Sequence, residues 1–438
     1  MKRFFIAFIA FIALSGLLFG PSRLMAQDFE QHFTDSTLRI DYTLMGNASE
    51  QHAALKELQR YPDWSGRRHN LSTTPLRGNG QMILRDKATG EVIYRQAFSS
   101  LFQEWIVTPE AREISRSFEA TFLVLMPQKE AEAELVLMNN RGEVQCSLKH
   151  TIRPDDALIR DLSAVEPLPH EYLHRGGSND TCIDVCILAE GYSEAEMELF
   201  LEDARKAAEE ILKYAPFNAY RERFNFIAVK SPSRHSNVSV PQEGAWRETA
   251  INSNFMTFYM PRYLTTGSVY KLYDQVRNIP CEHLVVLANT DTYGGGGIYN
   301  SYTLTTAHHP HFKPVVVHEF GHSFGGLGDE YFYDTEEDQT YSLEHEPWEP
   351  NITTGVDFAS KWEALMPADV ERPTVPTEER KANYTVGLYE GGGYRTKGIF
   401  RPAVVCRMRD NVADRFCPVC ERSLERVILH QTEPDKAQ

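Results

Sequence analysis

Hydrophobic and polar residues alternate along the first third of the chain, in short runs separated by turn-forming residues. Alternation with a period of two puts one face of a run against a core and is typical of β-strands. The runs are Ser36–Leu44, Gln81–Arg85, Glu91–Phe98, Ser117–Leu125, Ala133–Met138 and Glu143–Thr151. Their spacing predicts an all-β, sandwich-like N-terminal domain of about seven strands over residues 27–155.

The pattern changes after residues 156–179, a segment with prolines and glycines that we interpret as a linker. A strand-like run, Thr181–Leu188, leads into a capping box at Ser193–Glu196 and an amphipathic helix that ends before Pro216. Further strand-like or helix-like runs are Arg223–Val229, Ser268–Val276 and Leu284–Leu287. This alternation of strands and helices predicts an α/β domain over residues 180–438.

Residues 1–26 have the layout of a secretory signal peptide. Lys2 and Arg3 precede the apolar run Phe4–Phe19, and Ala26 offers a small residue for cleavage before Gln27. The run is shorter than the ~20 residues of a membrane-spanning helix, and no cysteine follows it that could accept a lipid. We therefore expect an exported protein, periplasmic, at the cell surface or secreted, with no stable membrane span.

Composition and charge narrow the function classes. The chain of 438 residues is 42% hydrophobic and 24% charged, which is ordinary for a globular protein. Its net charge is −16, so the chain as a whole is a poor partner for a nucleic-acid backbone, and we expect no nucleic-acid partner. The sequence does not reveal an oligomeric state.

The chemistry is concentrated in one stretch that begins with an apolar run and contains His318, Glu319 and His322. Two histidines four residues apart on a helix differ by only about 40° around the axis, so both imidazoles can bind one metal ion. His-Glu-x-x-His is the arrangement of zinc peptidases, in which the glutamate is the general base for a metal-activated water. The sequence therefore predicts one catalytic zinc ion bound by His318 and His322, with Glu319 as the catalytic residue.

A third ligand is expected after the helix. Gly325, Gly326 and Gly328 would allow a sharp turn, and the acidic pair Asp329-Glu330 follows at once. We predict Asp329 as the third metal ligand, with Glu330 as the alternative or as a group that orients a histidine. More distant alternatives are Glu336, Glu337, Glu344 and Glu346.

Several motifs resemble the IgA-peptidase family of bacterial zinc metallopeptidases. They are His318–Tyr331, Leu188–Ser193, Tyr293–Asn300, Gly387–Tyr394 and Arg401–Arg409. The resemblance spans about residues 180–425 and implies a metzincin-like catalytic domain that acts as an endopeptidase on protein or glycoprotein substrates. Cleavage of immunoglobulin A belongs to some relatives and need not carry over. The sequence departs from the metzincin pattern at Gly328, where the third ligand would stand.

The resemblance also suggests roles outside the metal motif. Met408 is similar to the Met-turn methionine that lies beneath the zinc of metzincins, with an ordinary core methionine as the alternative. The glycine-rich Tyr293–Asn300 is either a cleft rim on which an extended substrate pairs as a strand or a surface loop. Candidates for stabilising the oxyanion are Tyr384, Tyr389 and Tyr394. For His308, His309 and His311 we favour a solvated loop over a second metal site.

Seven cysteines in an exported chain leave at least one thiol unpaired within the chain. Cys182 and Cys186 are about 13 Å apart along a strand, too far for a mutual disulfide. Cys406, Cys417 and Cys420 could form a disulfide with a spare thiol, remain buried thiols or belong to a metal site. We favour the first two, because a structural zinc site needs a fourth ligand that the local sequence does not supply.

Three functions fit these patterns. The leading hypothesis is a secreted zinc-dependent endopeptidase. One alternative is a catalytically inactive surface or periplasmic protein that binds protein or glycan, although the intact metal motif argues against it. The other is a zinc amidase or exopeptidase on cell-wall peptides, which a wide, extended cleft would oppose.

Overall fold

Two four-stranded sheets form the N-terminal part of the chain in the computed structural model, which describes residues 29–333 and 340–435. Their strands are β1 (Phe33–Gly46), β2 (Gln51–Tyr61), β3 (Gly80–Asp86), β4 (Val92–Phe98), β5 (Arg116–Pro127), β6 (Ala131–Met138), β7 (Val144–Ile152) and β8 (Arg160–Asp161). One sheet has the order β5-β1-β2-β8 and the other β4-β3-β6-β7. Ile40 and Leu84, one from each sheet, lie in one shared core. The N-terminal region is therefore β-rich as predicted, but it is not all-β, because it also contains a short α-helix at Leu101–Trp105. β2 is a strand that the sequence pattern did not predict.

A six-stranded sheet forms the centre of the second half. Its strands are β9 (His170–Arg175), β10 (Ile183–Glu190), β11 (Phe224–Val229), β12 (His283–Ala288), β13 (Gly295–Ile298) and β14 (Tyr302–Thr306). They lie in the order β13-β14-β12-β10-β11-β9, with four parallel strands inside and an antiparallel strand at each edge. Every residue of β10, β11 and β12 is buried, as expected for parallel strands covered on both faces.

Helices cover both faces of this sheet. The α-helices are α1 (Leu101–Trp105), α2 (Met197–Lys213), α3 (Val269–Gln275), α4 (Phe312–Gly325), α5 (Glu378–Ala382) and α6 (Pro418–Thr432). Apolar side chains of α2, α4 and α6 share a core with one face, and α1 and α3 contribute to the core on the other face. The predicted α/β character is confirmed, including the capping box before α2.

Shorter elements complete the chain. A two-stranded hairpin consists of β15 (Tyr389–Gly392) and β16 (Arg395–Arg401). Short 3-10 helices are Glu110–Arg112, Glu194–Glu196, Arg221–Arg223, Pro241–Glu243, Thr257–Tyr259, Phe358–Ser360 and Glu363–Leu365. Over the stretches 29–333 and 340–435, no helix combines the length and the apolar character needed to cross a membrane.

The segment 156–179, predicted as a linker, contributes one strand to each part. β8 pairs with β2 in the N-terminal sheet, and β9 pairs with β11 in the six-stranded sheet. The connection is therefore ordered, and the domain boundaries at residues 155 and 180 stay a prediction.

The N-terminal part also supports the edge of the six-stranded sheet. Ser99, just after β4, exchanges backbone and side-chain hydrogen bonds with Tyr299, and the Asn300 amide donates to the Ala97 carbonyl at 2.7 Å. These contacts hold the turn between β13 and β14. The β-rich part thereby positions the edge strand that lies against helix α4.

Candidate metal centre

Helix α4 brings His318 and His322 onto one side of the helix. Their Nε2 atoms are 3.1 Å apart, and each imidazole is only about one-seventh exposed. The helix is held in place by Val316, Val317 and Phe320, which are fully buried against the central sheet. The local sequence thus fixes which face of the helix carries the two imidazoles.

Backbone carbonyls determine the tautomer of both imidazoles. His318 Nδ1 is 3.0 Å from the Arg407 carbonyl oxygen, and His322 Nδ1 is 2.6 Å from the Leu327 carbonyl oxygen. A carbonyl oxygen only accepts hydrogen bonds, so both Nδ1 atoms donate. In the neutral rings each Nε2 atom then keeps a lone pair, which is the state in which histidine binds a metal.

A left-handed turn after α4 returns the chain to the histidines. Gly326 has a φ of 57°, and its backbone N–H donates to the His322 carbonyl oxygen. Three residues later, Asp329 Oδ1 lies 3.0 Å from His318 Nε2 and 3.3 Å from His322 Nε2. Asp329 is buried, and its Oδ1 accepts no hydrogen bond from the residues that the structure describes.

These three atoms fit a zinc ion. Tetrahedral zinc binds nitrogen and oxygen at about 2.0–2.1 Å, which places neighbouring ligand atoms about 3.3 Å apart, close to the 3.0–3.3 Å found here. Without a cation, burial would lower the pKa of His322, but the Asp329 carboxylate outweighs it and raises this pKa to about 10. Burial likewise disfavours the charged Asp329, yet His322 and His318 hold its pKa well below the usual range. Both shifts have the same cause, the attraction between the buried carboxylate and positive charge on the imidazoles, and a divalent cation held by the same atoms would also offset this carboxylate.

The other predicted ligands lie elsewhere. Glu330 points away from the histidines and accepts a hydrogen bond from Asn351. Glu346 accepts hydrogen bonds from the Thr353 and Thr354 hydroxyls, and Glu344 is exposed. Glu336 and Glu337 lie outside the described residues. The geometry therefore favours Asp329 among these carboxylates, although its identity as a ligand stays a prediction.

Glu319 lies beside the two histidines. An oxygen of its carboxylate and a ring nitrogen of each histidine lie within 4.8 Å of one another. A Cβ atom on Gly295 of β13 would come within 2.8 Å of Glu319 Oε1, so the edge strand closes off one side of this carboxylate. Burial raises the pKa of Glu319 above the usual carboxyl value, although both histidines oppose the shift.

Met408 is fully buried beneath helix α4. A Cβ atom on Gly321, which lies between the two histidines in the sequence, would be 2.7 Å from Met408 Sδ. The Met408 carbonyl also accepts a backbone hydrogen bond from Glu330 at 2.9 Å. The methionine therefore supports both the helix and the segment that carries Asp329.

Of the three tyrosines proposed for the oxyanion, only Tyr394 contacts the predicted metal ligands. Its hydroxyl donates to Asp329 Oδ2 at 2.5 Å. The Tyr384 hydroxyl donates to Asp414, and the Tyr389 hydroxyl donates to the Thr385 carbonyl oxygen. Tyr394 therefore orients Asp329, and the other two are engaged elsewhere.

An arginine and two tyrosines near the histidines were not predicted. The Tyr331 ring stacks 6.4 Å from the His318 ring, and the Arg262 guanidinium lies over both Tyr331 and Tyr333. Tyr331 stands inside the metal motif and could have been considered. Arg262 lies in an irregular segment far upstream, where no local pattern marks it.

The glycine-rich stretch predicted as a rim or a loop contains β13, an edge strand. Its outer side is partly occupied, because Gly295 N–H donates to the Arg262 carbonyl and Leu264 N–H donates to the Gly295 carbonyl. Pairing of a substrate on this edge therefore stays a prediction.

The three upstream histidines do not join the predicted ligands. His308 Nε2 lies 2.7 Å from Asp203 Oδ2, and the rings of His309 and His311 pack against Tyr293. Within the described ranges, these histidines belong to no group of potential metal ligands. His308 and His311 are exposed and His309 is half-buried, as expected for the favoured solvated loop.

Comparison with known families identifies both halves of the chain. A family model described as IgA Peptidase M64 matches residues 172–384 and 377–428. A second, described as Peptidase M64 N-terminus, matches residues 28–149. No curated protein matches the sequence.

Proposed function

The chain belongs to the M64 peptidase family, and from this premise we propose that it is a zinc-dependent endopeptidase that cleaves internal bonds of protein substrates. Membership makes the chain a peptidase, and a peptidase acts on protein substrates. The metal, the catalytic residues and the mode of cleavage are the proposed part.

One observation carries the proposal: the Nε2 atoms of two imidazoles and a buried carboxylate oxygen converge to 3.0–3.3 Å of one another. His318, His322 and Asp329 would hold the ion, and Tyr394 would keep the carboxylate oriented through its hydrogen bond to Oδ2. When bound, zinc supplies Lewis-acid polarisation of the scissile carbonyl and lowers the pKa of water.

Glu319 would act as the general base. Its carboxylate lies close to both histidines, and its raised pKa suits a group that accepts a proton from the attacking water and passes it to the leaving amine nitrogen. The edge strand at Gly295 limits the movement of this carboxylate and shields it from water on that side. Both effects favour proton transfer over exchange with solvent.

A metzincin-like catalytic domain is part of the proposal. It is supported by the antiparallel edge strand β13, by the helix that ends in a left-handed glycine, and by Met408 packed beneath the helix. We also propose that the protein is exported and acts in the periplasm, at the cell surface or in the medium. The residues of the predicted signal peptide lie outside the described ones.

The test is digestion of a peptide library, read by mass spectrometry, with residues 27–438 and the Glu319→Gln variant compared at equal zinc. We expect internal cuts by the unmodified protein and a loss of turnover by several orders of magnitude in the variant, because proton transfer is removed while the ligands remain. Release of single terminal residues would instead indicate an exopeptidase. If Glu319→Gln kept more than a few per cent of the activity with its zinc bound, Glu319 could not be the base.

A further inference from the structure

A second group of potential ligands lies behind the first. Glu330, Cys406, Cys417 and Cys420 are all fully buried, and one ligand atom from each lies within 4.8 Å of the others. The sequence suggested three thiols without a fourth ligand, and the fold supplies the missing carboxylate from a segment far away in the chain. We propose that these four side chains bind a second, structural zinc ion.

The distances match a tetrahedral site. Cys406 Sγ and Cys420 Sγ are 3.8 Å apart, and Glu330 Oε1 is 3.1 Å from Cys420 Sγ and 4.0 Å from Cys417 Sγ. Zinc–sulfur bonds of about 2.3 Å and zinc–oxygen bonds of about 2.0–2.2 Å give sulfur–sulfur edges of about 3.8 Å and sulfur–oxygen edges of about 3.5 Å. The four side chains therefore surround a space of the right size without rearrangement of the backbone.

The surrounding hydrogen bonds favour anionic ligands. The backbone N–H groups of Met408 and Cys417 point at Cys406 Sγ, at 3.5 and 3.3 Å, which stabilises a thiolate. Asn351 donates to Glu330 Oε1 at 3.0 Å, whereas Glu330 Oε2 is buried with no hydrogen-bond partner among residues 29–333 and 340–435. A buried carboxylate with one unpartnered oxygen is costly, and a cation bound by the same carboxylate would offset its buried charge.

The site would join three segments beneath the catalytic centre. Glu330 follows Asp329 directly, Cys406 lies two residues before Met408, and Cys417 and Cys420 begin helix α6. The structural zinc ion would therefore hold the segment of the third catalytic ligand and the supporting methionine against the same helix. This role rests on the proposed function, but binding of zinc by the four side chains does not.

The first experiment measures the number of zinc ions per chain in residues 27–438 by inductively coupled plasma mass spectrometry. The protein is first purified in air and dialysed against a weak chelator. We expect two zinc ions per chain in the unmodified protein and one in a His318→Ala/His322→Ala variant. A Cys417→Ser/Cys420→Ser variant should lose the structural ion and melt at a lower temperature. Cys146→Ser, a half-buried cysteine in β7, is the matched control and should keep both ions.

The second experiment does not depend on the folding of a cysteine variant. Cobalt replaces zinc in the His318→Ala/His322→Ala protein, and we expect thiolate-to-cobalt charge-transfer bands together with the visible bands of tetrahedral cobalt. Absence of these bands in the folded, cobalt-treated protein would refute the site. So would a disulfide among the three cysteines, seen as five alkylated thiols of the seven cysteines in the denatured chain. Failure of catalysis alone would leave both readouts unchanged, so the two proposals fail separately.

Discussion

Gly297 lies where the edge strand β13 touches helix α4, and its replacement by alanine should disrupt the proposed catalysis. A Cβ atom at this position would be 2.3 Å from the Glu319 carbonyl oxygen and 2.8 Å from His322 Cβ. Non-bonded atoms in contact normally lie about 3.5–4.0 Å apart, so β13 and α4 would have to separate by roughly 1 Å. The obstacle is the helix backbone, which cannot swing aside as a flexible side chain could.

The displacement falls on the residues that carry the proposed chemistry. Misplacing a catalytic group by about 1 Å can cost about 10²-fold in rate, and overpacking typically costs about 1–3 kcal/mol of stability. We therefore expect Gly297→Ala to fold with a lower melting temperature and to lose about 10²-fold in kcat/KM. Zinc content, measured on the same sample, separates displacement of Glu319 from loss of the metal.

The assay is cleavage of a fluorogenic peptide that the unmodified protein hydrolyses. Gly267→Ala is the matched control, because no atom lies within 4 Å of the added Cβ and the backbone is not left-handed there. It should keep full activity and stability. If Gly297→Ala retained more than half of the unmodified kcat/KM, the close contact of β13 with helix α4 would not exist as described.

Two further predictions concern the metal ligand and the response to acid. Tyr394→Phe removes the hydrogen bond to Asp329 Oδ2 and should weaken zinc binding by about 10- to 100-fold in a chelator competition, and unchanged affinity would mean that Tyr394 does not orient the ligand. Burial lowers the pKa of His283 to about 4, so only the unfolded state takes up this proton as the pH falls from about 6.5 to about 4, and stability falls with it. The free energy of unfolding is measured with denaturant at pH 7.5 and pH 5 in the inactive Glu319→Gln protein, with and without His283→Asn. The fall in this free energy between the two pH values should be about 2 kcal/mol smaller when His283 is replaced. An identical fall in both proteins would contradict the assignment.

Sequence patterns predicted the elements whose formation depends on local residues. Helix α4 was expected because its apolar run, its histidine spacing and its terminal glycines all lie within one short stretch. The same holds for β10 and β12, whose continuous apolar runs require burial on both faces. In these elements the local preference and the tertiary environment agree.

The missed elements are strands whose own composition does not favour a strand, so that pairing and packing decide their conformation. β2 reads Gln-His-Ala-Ala-Leu-Lys-Glu-Leu-Gln-Arg-Tyr, which is rich in helix-forming residues, and it is a strand because it pairs with β1 along its whole length. β13 consists mainly of glycine, which has a low strand preference, and is held by β14 and by contact with α4.

The candidate site divides in the same way. His318, Glu319, His322 and Asp329 could be identified because a motif places them within a few residues of one another. The proximity of Glu330 to the cysteines was not predictable, because Glu330 lies 87 positions before Cys417 and 90 positions before Cys420 in the chain. Such a cluster is defined only by the fold.

The most direct test of the catalytic centre is a crystal structure of zinc-loaded residues 27–438 with anomalous data collected at the zinc absorption edge. We expect an anomalous peak about 2.0–2.2 Å from His318 Nε2, His322 Nε2 and Asp329 Oδ1. A map without a peak between the two histidines, or a peak there whose third protein ligand is not Asp329, would contradict the proposed metal centre.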